Sequence, residues 1–461
     1  MGGARPGSGS SRPSQAPSLW VPLRYWVAAQ LSFLAVLFWA PFGTIGLEGV
    51  YYQGHTLAIT HLLALGWITM TTMGASFQLV PVALETTLYS ERMARWQFWF
   101  MLLGTVAMTL YFWKLRFPGV AVGAGLIVVA VLLYTINLGR TLWQLDRWDI
   151  VARHVVAALA YLLATAIFGS LMAVNRVVVI LGGDTARLIT AHAHLAGLGW
   201  VSMMILGVGY KLIPMFSLGE LDDDWITRWE FWLLNIGLVG LVAAALTATT
   251  PSMPFAVVIA AAISLFLWKI FGALRESRRP RLDWGLWHAV SALIYLAIVG
   301  FIGLWLASGW GLSARTSSRL AFGYAVLALL GWISVMIIGM TYKILPFLVW
   351  HHRYSDFVGL RPVPTATEFV GQDLPVVGFW ILHCGIPTLV IGLILQSGPV
   401  IQVGAMFLAT AGAIFAIALF RIYRHLAPHL TPLPEAKGEK AERAPEASQA
   451  DVRTAINGRP A

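Results

Sequence analysis

The chain has 461 residues, 58% of them hydrophobic and only 11% charged, with a mean hydropathy of +0.74. Soluble domains carry about 25% charged residues, so water-soluble enzymes, nucleic-acid binders and disordered scaffolds are excluded as classes. The net charge of +10 tells less than its distribution. A single cysteine, Cys384, excludes an internal disulfide framework and any multi-cysteine metal site.

In chain order, residues 1–22 are rich in Gly, Ser, Pro and Arg and hold no apolar run, so they read as a disordered tail and not a secretory signal. Twelve apolar blocks follow, centred near residues 34, 68, 105, 128, 163, 201, 239, 262, 297, 332, 385 and 411. Each is long enough to span a bilayer, which takes ~20 apolar residues. From Pro428 to Ala461 the chain is polar again, a second disordered tail. The expected architecture is all-α: a polytopic membrane domain over 23–427 between tails 1–22 and 428–461.

Charge sets the expected orientation. With both tails in the cytoplasm, the connections after helices 2, 4, 6, 8 and 10 are cytoplasmic too. Of 31 Lys and Arg residues, all but Lys114, Arg116, Arg176, Arg187, Arg315 and Arg319 then lie on that side, a positive-inside pattern. The cluster Arg275, Arg278, Arg279 and Arg281 belongs to this topogenic charge.

An internal repeat organises the blocks. Helix 2 reads THLLALGWITMTTMGASFQLVP, helix 6 AHLAGLGWVSMMILGVGYKLIP and helix 10 YAVLALLGWISVMIIGMTYKILP. Gly66-Trp67, Gly199-Trp200 and Gly331-Trp332 recur, followed by Gly74, Gly207 and Gly339, by Phe77, Tyr210 and Tyr342, and by Pro81, Pro214 and Pro346. Helices 3, 7 and 11 open with Phe98-Trp99, Phe231-Trp232 and Phe379-Trp380, while His154 and His288 open helices 5 and 9, with Tyr25 nearest to them in helix 1. The pattern predicts three parallel four-helix units (about 23–145, 146–280 and 281–427) around an approximate threefold axis. The repeated glycines are expected to be close-packing devices, with Trp filling the gap.

Ionisable groups inside a membrane need an explanation. His61 and His194 occupy the same repeat position, five residues before Gly66 and Gly199. Each precedes its Pro by ~30 Å of helix, which places both imidazoles in the outer half of the bilayer. Repeat 3 has Val326 there, so packing of the unit does not require His. His192 is two residues from His194, ~200° away around the helix, and serves a different pocket. Two imidazoles at one depth can clamp a planar metal cofactor, haem iron being the obvious candidate; a repeat-conserving packing motif is the alternative.

The string AHAHLAGLGWVSMMILGVGYKLIP resembles the two-histidine helix of haem–copper oxidase subunit I, with cytochrome cbb-type oxidases and nitric oxide reductases closest. THLLALGWITMTTMGASFQLVP is similar to that family's second helix, which carries the other low-spin haem ligand. The resemblance implies that His61 and His194 hold a low-spin haem b and that His192 is the proximal ligand of a second, high-spin haem. In the family the two-histidine helix is the tenth; here it is the sixth, and Tyr324 and Val326 stand at the corresponding positions of helix 10. The family's three copper-ligand histidines have no counterpart in the membrane blocks, which puts an active-site copper in doubt. His351-His352 is read as an interfacial loop pair.

Other residues rank lower. His383 reads as a satisfied buried histidine or a ligand from the third unit, and His55 as an interfacial histidine or a propionate ligand. Lys211 and Lys343 suit snorkelling, Glu85 a helix cap or proton entry, and Asp184 an N-cap. Arg116, Arg176, Arg187 and Arg319 lie at the outer ends, where they could pair with propionates. The leading expectation is a haem-binding protein of the bacterial cytoplasmic membrane, in respiratory electron transfer or nitric oxide or dioxygen handling. Its expected partners are membrane lipid, a cytochrome or quinol donor and respiratory subunits, with no nucleic acid. A transporter or channel and a non-catalytic assembly subunit are the alternatives.

Overall fold

A computed structural model of the chain describes residues 17–43, 53–182, 184–247, 249–279, 281–427, 429 and 431. The predicted tails lie almost wholly outside the described residues. Within them there is no strand, and the membrane part consists of long helices. In order these are α1 (Trp20–Gly43), α2 (Gly54–Ala83), α3 (Glu91–Trp113), α4 (Phe117–Leu142), α5 (Ile150–Asn175) and α6 (Thr185–Ser217). Then come α7 (Trp225–Thr247), α8 (Met253–Arg275), α9 (Trp284–Ser308), α10 (Ala314–Phe357), α11 (Asp373–Leu395) and α12 (Gly398–Tyr423). Eleven are long and apolar enough to cross a membrane. The exception, α3, has 23 residues but opens on Glu91, Arg92 and Arg95.

Local chemistry explains where the helices begin. Ser90, Asp149, Asp184, Asp283 and Ser313 are N-caps whose side chains accept from Met93, Ala152, Ala186, Leu286 and Thr316, each satisfying an otherwise orphaned amide. Pro118, Pro254 and Pro399 occupy first turns, where a missing N–H costs nothing. The repeated prolines do not end their helices: α2 and α6 continue to Ala83 and Ser217, and α10 runs well past Pro346. Proline removes one intrahelical bond, and packing on both sides holds the remaining turns.

The repeated glycines form the seams of the central helices. A Cβ on Gly74 would lie 2.7 Å from Cβ of Tyr25, one on Gly207 2.2 Å from Cβ of His154, and one on Gly339 2.7 Å from Cβ of His288. Gly66, Gly199 and Gly331 are equally crowded, by Ser32, Tyr161 and Tyr295. At these points α2 lies directly on α1, α6 on α5 and α10 on α9, as small residues allow. The bundle closes on itself: Phe33 of α1 meets Phe415 of α12, and the Tyr423 hydroxyl donates to Gln30 Oε1 at 2.6 Å.

Each central helix widens into a π-helical stretch at the same repeat position: Leu62–Thr69, Leu195–Ser202 and Leu327–Ser334. The stretches begin immediately after His61, His194 and Val326 and contain the Gly-Trp pairs. Two of them end on a serine whose hydroxyl donates five residues back, Ser202 to the Gly197 carbonyl (2.8 Å) and Ser334 to that of Leu329 (2.7 Å). The same hydroxyls join the helices to one another. Trp67 Nε1 donates to Ser334 (3.1 Å), Trp332 Nε1 to Ser202 (2.9 Å) and Trp200 Nε1 to Thr69 (3.3 Å). The three bonds make a closed triangle of buried indoles across α2, α6 and α10. Beyond it, towards the prolines, the three helices enclose an apolar cavity of about 100 Å³ lined by Thr71, Met204, Val208, Met336 and Met340.

Candidate functional site

The histidine end of the central helices lies just beyond the indole triangle. Nδ1 of His61 bonds the Leu57 carbonyl at 2.8 Å, and Nδ1 of His194 bonds that of Thr190 at 2.8 Å. Both carbonyls lie one turn earlier on the same helix. A carbonyl accepts, so Nδ1 carries the proton in each ring and Nε2 is left with its lone pair. This is the tautomer that leaves Nε2 free to ligate a metal. Neither Nε2 has a hydrogen-bond partner among the described residues. His192 differs, for its Nδ1 is buried with no partner.

Two histidines two residues apart meet different neighbours. His192 packs against Gly169 of α5, its Cε1 standing 2.6 Å from where a Cβ on that glycine would be. It also interacts electrostatically with His61 of α2. His194 faces Tyr324 of α10, with ring centroids 6.2 Å apart and planes at 26°. His61 itself stacks on Phe112 at 4.6 Å. His192 thus lies on the side of α6 towards His61, and His194 on the side towards Tyr324. By register the third pair of positions carries Val326 and Ile59.

The charges around this end are unbalanced. Arg116, Arg176 and Arg187 are exposed and Arg319 half-buried, and among the described residues none of them has a carboxylate within 4.0 Å. Arg176 rests instead over the Phe117 ring, 5.6 Å from its centroid. Three unprotonated imidazole nitrogens, an apolar surround and unpaired guanidinium groups fit an anionic, planar metal cofactor such as haem. Among the described residues no three His, Cys, Asp or Glu side chains gather as a metal-ion site.

Other candidates lie apart from this cluster. His55 is exposed and packs edge-on to Trp113, 4.2 Å between centroids. His351 and His352 are not in a loop: they are exposed in the last turns of α10, which continues beyond Pro346. Lys211 is exposed, whereas Lys343 pairs with Asp283 at 2.5 Å, so the two repeat-matched lysines do different things. His383 bonds the Phe379 carbonyl through Nδ1 (2.8 Å) and stacks on Phe379, while its Nε2 is buried without a partner.

Sequence reading passed over Glu230. It is fully buried five residues into α7, with Oε2 3.1 Å from Nε2 of His154 and 3.1 Å from the Tyr210 hydroxyl. The signal was available in the repeat, since Arg95-Trp96-Gln97-Phe98-Trp99 aligns with Arg228-Trp229-Glu230-Phe231-Trp232.

Comparison with known proteins follows the same lines. The family model described as Cytochrome C and Quinol oxidase polypeptide I matches residues 116–254. The cbb3-type cytochrome c oxidase subunit CcoN1 of Stutzerimonas stutzeri is 28% identical over 210 residues, 42% of this chain and 41% of that protein. A cytochrome c oxidase subunit 1 homolog of Agrobacterium tumefaciens is 26% identical over 227 residues, 46% of this chain and 40% of that protein. The matched stretch thus spans less than half the length of these relatives. A solved structure of a heme-copper terminal oxidase dimer superposes with a TM-score of 0.64 at 13% identity, covering 90% of this chain and 85% of that one, which shows a shared fold. The chain is thus a multi-pass membrane protein with the fold of a heme-copper terminal oxidase, similar in sequence over residues 116–254 to the family described as Cytochrome C and Quinol oxidase polypeptide I.

Proposed function

We propose that the chain is a haem-binding protein of the bacterial cytoplasmic membrane, working in respiratory electron transfer or in nitric oxide or dioxygen handling. In this reading it is built as three parallel four-helix units with both termini in the cytoplasm. The indole triangle and the three matched π stretches support the three-unit arrangement, and the bias of Lys and Arg towards the proline ends supports the orientation. The observation that carries the haem reading is the matched pair His61 and His194, each held through Nδ1 by a carbonyl one turn earlier and each offering a free Nε2.

His61 and His192 would share one haem b, and His194 would hold a second in the pocket it forms with Tyr324. This pairing differs from the one the resemblance implies, His61 with His194. What favours it is the electrostatic influence of His61 on His192 and the turning of His194 towards Tyr324 of α10. When bound, haem supplies a one-electron iron couple and an open coordination site for a diatomic gas. The protein's own part is orientation and exclusion. The Leu57 and Thr190 carbonyls hold the rings of His61 and His194 in their ligating tautomer. The buried Trp67, Trp200 and Trp332 keep water out on the proline side, and Arg116, Arg176, Arg187 and Arg319 offer cations to carboxylates. A cytochrome or quinol donor and further respiratory subunits are the partners this reading requires.

The test is a reduced-minus-oxidised spectrum of purified protein, with pyridine haemochrome and metal analysis. Wild type is expected to show a Soret band and b-type haem. His61→Ala and His192→Ala are expected to lose the low-spin signal and His194→Ala to keep it. Loss in His61→Ala and His194→Ala instead would restore the pairing implied by the resemblance. Wild-type spectra in all three variants would sink the ligand assignment.

A further inference from the structure

A second polar cluster lies at the other end of α6, ~24 Å from His194 by helix rise. His154 and Glu230 are fully buried and Tyr210 nearly so. The Tyr210 hydroxyl donates to Glu230 Oε2, Nε2 of His154 stands 3.1 Å from the same oxygen, and Nδ1 of His154 bonds the Ile150 carbonyl at 2.9 Å. Glu230 Oε1 is buried and has no partner.

Packing does not demand an acid here. At the matching place in the first unit the amide of Gln97 sits beside Tyr25: its Oε1 accepts from the Tyr25 hydroxyl and its Nε2 points at Met73 Sδ (3.1 Å). In the third unit Gly378 stands before the repeated Phe-Trp pair, and with His288 and Tyr342 it lines a void of about 10 Å³. One fold therefore accepts a neutral amide, an acid with a histidine, or a gap. An intramembrane acid that packing does not require is a functional candidate.

The hydrogen-bond inventory decides its charge state. An ionised carboxylate is acceptor-only, with two oxygens to satisfy, and leaving one of them bare in a buried site is costly. The carbonyl oxygen of a neutral acid tolerates this better. Nδ1 of His154 is already the donor to Ile150, so in a neutral ring Nε2 is the base, aimed at Oε2. A polar turn between α6 and α7 lies one helical turn away. Thr227, fully buried one turn before Glu230 on α7, donates to Asp223 Oδ1 (3.1 Å) and to the Asp224 carbonyl (2.8 Å). Asp224 pairs with Lys269 of α8 at 2.9 Å, and Asp223 stands 3.9 Å from Arg228. Both aspartates act electrostatically on Tyr210.

We propose that Glu230 is protonated within the membrane and shares its proton with His154, forming a proton-exchange site entered from the Asp223–Asp224 turn. Moving that proton from Oε2 to Nε2 converts acid and imidazole into carboxylate and imidazolium. The pair has zero net charge in both states, so the transfer moves a proton from α7 to α5 without placing a net charge in the bilayer. The site is independent of the haem reading.

Infrared difference spectroscopy on the full chain in nanodiscs, wild type minus Glu230→Gln, tests it. Gln97 shows that the fold accepts an amide at this position. The expected result is a carboxylic C=O band in wild type that moves down in D2O and is absent from Glu230→Gln. Tyr210→Phe removes the hydroxyl donated to Oε2; it should shift the band without abolishing it, and so serves if Glu230→Gln does not fold. Asp223→Asn with Asp224→Asn should slow the D2O shift severalfold. No carboxylic band in the wild-type minus variant spectrum would mean an ionised Glu230 and overturn the proposal. A band that never shifts in D2O would overturn exchange, and an unchanged rate in the double variant would overturn the route.

Discussion

Helices α6 and α10 are built alike and equipped differently. Both carry the Gly-Trp pair, the second glycine, the tyrosine and lysine before the proline, and a π stretch ending on a serine. Their indoles join the same triangle, and their second glycines rest on a histidine of the preceding helix. Yet α6 presents His192 and His194 where α10 presents Tyr324 and Val326. The difference separates two layers of information. Glycines, tryptophans and hydroxyls set how the helices meet, and a few side chains beyond the triangle set what chemistry they offer.

If the packing layer is shared, disturbing it should be the most damaging change. Gly207→Val would drive a side chain into Cβ of His154, 2.2 Å from the first added atom, with its Cγ at 3.0 Å and its backbone Cα at 3.6 Å behind it. No monodisperse protein is expected on size-exclusion chromatography, and a folded variant would refute the seam. The chemical layer should respond next and asymmetrically. His194→Ala should lower haem content, while Val326→Ala at the equivalent place in α10 should leave it unchanged; equal losses would erase the distinction between the helices.

Within the triangle, Trp332→Phe should cost more than Ser202→Ala. The indole substitution removes a buried bond and leaves a cavity in the core, whereas the serine substitution leaves the Trp332 indole N–H buried without a partner, about 1–3 kcal/mol. Thermal unfolding in one detergent ranks the two, and the reverse order would remove the triangle from the stability argument. The smallest effect has the opposite sign. Nothing lies within 4 Å of a Cβ at Gly197, so Gly197→Ala should raise the melting temperature slightly, by up to about 1 kcal/mol of reduced unfolded-state entropy.

The repeat made the seams readable because a period of four helices carries the same contact to the same place each time. It also exposed His61 and His194, since a polar residue at a matched apolar position stands out. Glu230 was legible in the same way, through Gln97, but only once α3 and α7 are aligned residue by residue. The extension of α10 to Phe357 was not legible, because a proline near a helix end stops the chain in some contexts and is packed over in others.

What the sequence determined by itself was the membrane class, the helical blocks, the repeated contact residues and the histidines worth attention. Those follow from composition and period, which act along one chain segment at a time. The tertiary structure alone decided that His192 packs against Gly169 while His194 turns to Tyr324, that each indole reaches the hydroxyl of another helix, and that Glu230 is sealed against His154. Helical periodicity fixes the angle of a side chain about its own axis. Which neighbour lies at that angle depends on how closely the glycine seams let the helices approach, and that is a property of the assembled bundle.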